Sequence, residues 1–158
     1  MPTVLFVCSA NMCRSPMAEA LFIHFARQDE SRFDWDAESA GVWAIDGSYA
    51  SGGAVKAMQR RGIDILSHRA RSITSEMMQA CELILTMEKD HQDALRAAFP
   101  ESQDKIYRLS EMVGLHHDIR DPIGGLPADY DDTANELEHL IADGFRQMQS
   151  LIEKHGYE

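Results

Sequence analysis

Thr3-Val4-Leu5-Phe6-Val7-Cys8-Ser9-Ala10-Asn11-Met12-Cys13-Arg14-Ser15-Pro16 decides how the rest of the 158-residue chain is read. Residues 3–8 form an apolar, β-branched run that stops at small and polar residues. A run apolar on both faces fits a strand buried on both sides, as in parallel sheets. Ser15-Pro16 then opens a helix to about Gln28, because proline is tolerated in a first turn, where its missing N–H has no intrahelical partner. Met17, Leu21 and Phe25 lie four apart, with Ala18 and Phe22 beside them, so one face of that helix is apolar. The stretch reads as strand, tight loop, helix.

Working outward, the unit repeats. Asp36 to Ala40 is predicted as a strand ended by Gly41, and residues 51–61 as a helix stopped at Gly62. Thr74 caps a short helix, Glu82 to Met87 is a second buried strand, residues 89–98 are helical, and Lys105 to Leu109 is a short strand. After a loop containing His116, His117, Asp121, Gly124 and Gly125, a long helix runs from about Ala128 to Lys154, with Tyr130 packing down at its start. Strands alternating with helices predict an α/β domain with a parallel sheet covered on both faces. Ligands in such folds sit at the carboxyl ends of strands, which singles out the loop after the first strand. No repeat, low-complexity tract or linker interrupts residues 1–158, so a single domain is expected.

Composition narrows the function classes. Apolar residues are 44% and charged residues 26%, which makes intrinsic disorder an unlikely class. The net charge of −11 disfavours nucleic acid and anionic membranes as partners. No apolar run approaches the about 18 residues of a membrane span, and the start lacks a signal-peptide pattern. Three cysteines make no closed disulfide framework, which fits a reducing, cytoplasmic setting. Charge is also segregated: Lys56, Arg60, Arg61, Arg69 and Arg71 cluster in residues 56–71, and residues 118–138 are acidic. This pattern describes either two solvated faces or an acidic segment that brings a proton donor.

The loop Cys8 to Ser15 gathers complementary chemistry. A loop of this length can turn its backbone N–H groups toward one anion, and the helix behind it aims its positive end at the same point. Both fields favour a thiolate at Cys8. Arg14 offers a planar donor fork matched to two phosphoryl oxygens, and Ser15 can donate a hydroxyl hydrogen bond to Cys8. Nucleophile, anion cradle and guanidinium together describe covalent phosphoryl transfer. A lone cysteine at a strand end is otherwise an ordinary small core residue, and C-x5-R spacing alone is common.

Val7 to Glu19 resembles the phosphate-binding loop of low-molecular-weight protein-tyrosine phosphatases of bacterial type, close to their protein-arginine phosphatase branch. Ser39-Ala40-Gly41, Gly62-Ile63 through Ser67-His68-Arg69-Ala70-Arg71, and Asp121-Pro122 resemble further family motifs in order. The resemblance implies a three-layer α/β/α fold with a four-stranded parallel sheet in the order 2-1-3-4. It implies Cys8 as nucleophile, Arg14 as phosphate ligand and Asp121 as general acid and base. Ser9, Ala10, Asn11, Met12, Cys13, Arg14 and Ser15 form the phosphate-binding loop, with Asn11 shaping it and His68 and Ser15 supporting Asn11. It also implies a reversible Cys8–Cys13 disulfide, set against Cys13 as a small buried residue. No metal or cofactor is called for, and adjacent His116 and His117 are a weak metal signal. Phosphorylated proteins are the expected substrates, inorganic phosphate or a similar oxyanion the site ligand, and a monomer or weak dimer the assembly.

Within the family, thiol-relay arsenate reduction needs cysteines near residues 82–93, and that stretch has none. Met12, long and apolar, suits an aromatic ring, where the arginine branch carries threonine. Trp43 is expected to supply an aromatic wall, unless it is partly buried against the sheet. Ile123-Gly124-Gly125 departs from the Asp-Pro-Tyr-Tyr of the tyrosine branch and resembles the arginine-type branch. Phosphotyrosine hydrolysis is the main reading and phosphoarginine hydrolysis the alternative. A redox thiol protein would leave Arg14 and Asp121 without purpose, and a phosphate-binding module needs no acid.

Overall fold

β1 (Thr3–Cys8) is the hub of the sheet in a computed structural model that describes residues 2–156. It pairs in parallel with β2 (Asp36–Gly41) on one side and β3 (Leu83–Thr86) on the other, and β3 pairs in parallel with β4 (Ile106–Arg108). The strand order is β2-β1-β3-β4, as expected from the resemblance. Alternation along β1 explains the three layers. Val4, Phe6 and Cys8 join one buried cluster with residues of α1 (Arg14–Ala26), α2 (Gly52–Arg60) and α5 (Pro127–Gly156). Leu5 and Val7 join a second cluster with Met78 of α3 (Ser75–Ala80) and Leu95 of α4 (Lys89–Ala98). Both faces of β1 are apolar because both are covered.

The first helix is shorter than its sequence pattern. Arg27 N–H still bonds to the Ile23 carbonyl, but Gln28 N–H turns to Phe25, tightening the end into a three-residue spacing. Thr74 Oγ1 accepts from Met77 N–H at 3.2 Å, the side-chain cap expected for α3. Tyr130 is buried, and its ring meets Gly53: a Cβ there would sit 2.3 Å from the ring, so only glycine lets α2 approach α5 so closely. The segregated charges meet across this same contact. Arg60 pairs with Asp131 at 2.8 Å and Arg61 with Glu138 at 2.6 Å, so much of the basic segment faces the acidic one rather than water.

β1 and β3 end side by side, with Val7 opposite Thr86. The turn after β1 and the turn after β3 therefore open on the same edge of the sheet, where the loop from Cys8 to Ser15 lies.

Candidate active site

Asn11 is the keystone of this loop. It is fully buried and holds φ of 57°, a left-handed conformation that asparagine tolerates better than most residues. Its hydrogen bonds settle the orientation of its amide. Arg71 N–H can only donate, and it donates to Asn11 Oδ1 at 3.0 Å. Asn11 Nδ2 therefore faces Ser15 Oγ at 2.8 Å and Ser39 Oγ at 3.0 Å and donates to both. The Ser15 hydroxyl in turn shares a hydrogen bond with Cys8 Sγ at 2.9 Å, in which either group can donate. Ser39 donates onward to Glu19 Oε1 at 2.6 Å. The Glu19 carboxyl is held above its ordinary value chiefly by burial. His68 Nε2 donates to the Asn11 carbonyl at 2.8 Å, which fixes its tautomer. Thus Asn11, Ser15 and His68, grouped by the sequence motifs, form one network ending at the Cys8 sulfur.

The loop is also clamped through its backbone. Trp43 N–H donates to the Ser9 carbonyl at 3.2 Å and Ser51 N–H to the Met12 carbonyl at 2.8 Å. Gly41 lies so close beneath it that a Cβ would sit 2.5 Å from the Ser9 carbonyl oxygen and 3.0 Å from Asn11 N. The Ser39-Ala40-Gly41 motif thus owes its glycine to the loop that it supports. Ala10 lies between these clamps, half-buried like Ser9 and Met12.

Arg14 is 2% exposed, yet it is a charged residue with carboxylates on two sides. Its Nη1 donates to Glu88 Oε2 at 2.6 Å and to the Ile119 carbonyl at 2.7 Å. Nη2 faces Asp121 Oδ2 at 3.6 Å, beyond hydrogen-bond length. The Nε–Nη2 edge is the one a bidentate oxyanion would use. Arg14, from the loop that begins at Cys8, therefore meets Asp121 from a second, distant segment of the chain.

The sequence reading missed Glu88 and His91. Glu88 follows β3 and anchors Arg14. His91 is 4% exposed, and its Nε2 is 2.9 Å from Ser9 Oγ, while its Nδ1 is buried without a partner. Burial holds the His91 imidazole below its ordinary value despite the nearby Glu88. The strand-end rule that singled out the loop after β1 applies equally to the end of β3 and could have found both.

The remaining candidates sit at the surface. Trp43 is 67% exposed and Ile123 53%, so Trp43 is not tucked against the sheet. Cys13 is buried, and burial pushes its thiol up to about 12 although a Ser51 hydrogen bond opposes this. Among the described residues no three His, Cys, Asp or Glu side chains converge on a metal position. His117 Nε2 instead lies 3.1 Å from Glu136 Oε2, while His116 is exposed.

A cysteine over an anion-shaped loop, at the carboxyl edge of a 2-1-3-4 parallel sheet, defines the class. The family model for low molecular weight phosphotyrosine protein phosphatases matches residues 3–155, and the chain belongs to that family. It is 37% identical to the protein-arginine-phosphatase of Bacillus subtilis, over 96% of this chain and 97% of that one. It is also 37% identical to a probable low molecular weight protein-tyrosine-phosphatase, EpsP, of Ralstonia nicotianae, over 76% of this chain and 77% of the relative. Among solved structures, a low molecular weight protein tyrosine phosphatase from T. tengcongensis superposes with a TM-score of 0.88 at 41% identity, covering 93% of this chain and 99% of that one. A crystal structure of a YwlE mutant from Bacillus subtilis also gives 0.88, at 35% identity, covering 94% of this chain and 99% of that one.

Proposed function

We propose that this chain removes phosphate from phosphotyrosine in proteins through a cysteinyl-phosphate on Cys8, the whole of residues 1–158 working as one domain in the cytoplasm. The Cys8 sulfur attacks phosphorus in line with the leaving oxygen, a P–S bond forms and the P–O bond breaks. Asp121 gives its proton to the leaving phenolate oxygen. A water then attacks phosphorus, Asp121 takes its proton, the P–S bond breaks and inorganic phosphate leaves. The loop N–H groups and the Nε–Nη2 edge of Arg14 hold the phosphoryl oxygens as charge develops. One observation supports this reading: Ser15 Oγ lies 2.9 Å from Cys8 Sγ, on a loop whose Arg14 faces the Asp121 carboxyl group at 3.6 Å. A hydrogen bond donated by Ser15 would stabilise the sulfur both as nucleophile and as leaving group.

Three apolar side chains support an aromatic substrate. Met12 lies in the loop, Trp43 adjoins Ser9 through its backbone, and Ile123 lies two residues past Asp121. A phenol ring entering between them buries apolar surface, whereas a guanidinium would meet no hydroxyl at Met12. Phosphoarginine is the second reading, favoured by the identity to the Bacillus subtilis protein and by Gly124-Gly125.

Phosphate release from paired phosphotyrosine and phosphoarginine peptides tests the proposal, with Cys8→Ser as control. Faster release from phosphotyrosine, abolished in Cys8→Ser, is expected. Preference for phosphoarginine would keep the mechanism and move specificity to Ile123-Gly124-Gly125. No release from either peptide would overturn it.

Cys13 completes the proposal as the partner of Cys8 in a reversible disulfide. Peroxide converts Cys8 to a sulfenic acid, Cys13 sulfur displaces water, and an S–S bond forms. Thiol should restore wild-type activity, and Cys13→Ser should recover less. Equal recovery would leave Cys13 a packing residue.

A further inference from the structure

Three of the five basic residues of the 56–71 segment pair with carboxylates. Arg60 pairs with Asp131, Arg61 with Glu138, and Arg71 with Glu38 at 2.7 Å. Arg69 pairs with no carboxylate among the described residues, yet its guanidinium is not loose. It lies over the Tyr49 ring, 3.9 Å from the centroid. Nη1 donates to the carbonyls of Leu66 at 3.1 Å and His68 at 2.7 Å. Tyr49 remains 65% exposed, so its ring serves as a platform more than as core. The backbones below are locked by an antiparallel Tyr49–Arg69 bridge, by Ala70 N–H to Ser48 at 2.7 Å and by Gly47 N–H to Ala70 at 2.8 Å.

The pair stands next to the phosphate-binding loop on two segments at once. His68, the residue before Arg69, donates to the Asn11 carbonyl. Ser51, two residues after Tyr49, donates to the Met12 carbonyl. Neighbouring residues of an extended substrate are about 3.3–3.6 Å apart along the chain, so residues flanking a phosphorylated one in the loop come within reach of this rim. The edge of Arg69 not spent on carbonyls is a planar donor fork, the shape that matches a carboxylate. Stacking holds that fork in place before a substrate arrives, which reduces the ordering lost on binding.

We infer that Arg69, held on Tyr49, is a subsite for an acidic side chain flanking the phosphorylated residue of the substrate protein. The inference rests on the phosphatase reading above and narrows its substrate class to phosphoproteins with Asp or Glu beside the modified residue. The net charge of −11 repels such a substrate at long range, so an oriented cation at the mouth supplies the local attraction.

The test compares kcat/KM for phosphopeptides that differ only in flanking Glu or Gln, on whichever phosphorylated residue the enzyme turns over, with a small aryl phosphate as control. Wild type should favour the Glu peptide by about tenfold, mainly through KM, with the preference shrinking as salt is raised. Arg69→Gln should abolish the preference, Arg69→Glu should reverse it, and Tyr49→Leu, which keeps the charge but removes its platform, should weaken it. All three variants should turn over the aryl phosphate at the wild-type rate. Equal use of both peptides by wild type, or an equal loss on both in Arg69→Gln, would overturn the subsite. Failure of wild type on the aryl phosphate would overturn the phosphatase reading, and the subsite with it.

Discussion

The loop from Cys8 to Ser15, proposed to bind phosphate, and the loop from Asp121 to Leu126, proposed to carry the acid, are built on opposite principles. Asn11 and Ser15 are fully buried, Arg14 is 2% exposed, and their hydrogen bonds reach Ser39, His68, Arg71, Glu88 and Ile119. From Asp121 to Leu126 the bonds are local: Ile123 N–H to Asp121 Oδ1, Gly125 N–H to the Pro122 carbonyl, Leu126 N–H to Asp129 Oδ2. Ile123 and Leu126 are exposed, and Gly124 holds φ of 78°. Charge that develops on a phosphoryl group needs dipoles already in place, because reorienting them during reaction would raise the barrier. An acid that must serve a leaving group and then a water gains from a loop with few tertiary ties. The two segments meet where the Ile119 carbonyl accepts from Arg14 and Asp121 faces the same guanidinium.

That contrast can be broken in order of size. Asp121→Asn should lower kcat by about 10²–10⁴-fold and leave stability within about 0.5 kcal/mol, since the side chain is 41% exposed. A variant keeping its rate on a poor leaving group would place the acid elsewhere. Gly41→Ala should reduce both properties: the new methyl presses on Ser9 and Asn11, lowering the rate by about 10²-fold and stability by about 1–3 kcal/mol. Full activity with reduced stability would mean that the loop adjusts without loss of geometry. Glu88→Gln keeps a hydrogen-bond acceptor for Arg14 and removes its charge, and should cost about tenfold in kcat/KM. An unchanged value would make Glu88 a folding partner only.

The smallest effect separates thiols. Cys13 and Cys81 are buried, and burial lifts each from an ordinary value of 9.0 to about 12. The native form therefore keeps protons that the unfolded chain loses above about pH 9. Stability from these groups is intact below that pH and falls as pH rises toward 12, by about 1.4 kcal/mol per pH unit for each thiol. Denaturant midpoints across pH 8–11 should show a shallower alkaline slope in Cys81→Ala. An identical slope would assign the loss to other groups.

Legibility followed the same division. The strand-loop-helix around Cys8 was readable because buried strands, a proline in a first turn and a four-residue apolar spacing each leave a local mark. The segregated charges were visible too, but not that α2 and α5 bring Arg60 to Asp131 and Arg61 to Glu138, which depends on two helices meeting at Gly53 and Tyr130. Trp43 was ambiguous because an aromatic two residues past a strand can turn inward or outward, and its neighbours in sequence do not decide which.

By itself, the sequence determined the alternating α/β order, the loop from Cys8 to Ser15, and the residues whose motifs mark the family, since all of these depend on contacts a few residues long or on patterns along the chain. Only the tertiary structure decided that Arg71 N–H orients the Asn11 amide and so turns Asn11 Nδ2 to Ser15, that Glu88 holds Arg14 from the end of β3, and that Arg69 stands oriented on Tyr49 with no carboxylate partner among the described residues. The first two facts join residues 60 and 74 positions apart, and the third depends on which partners the other arginines find, so folding alone brings them within reach.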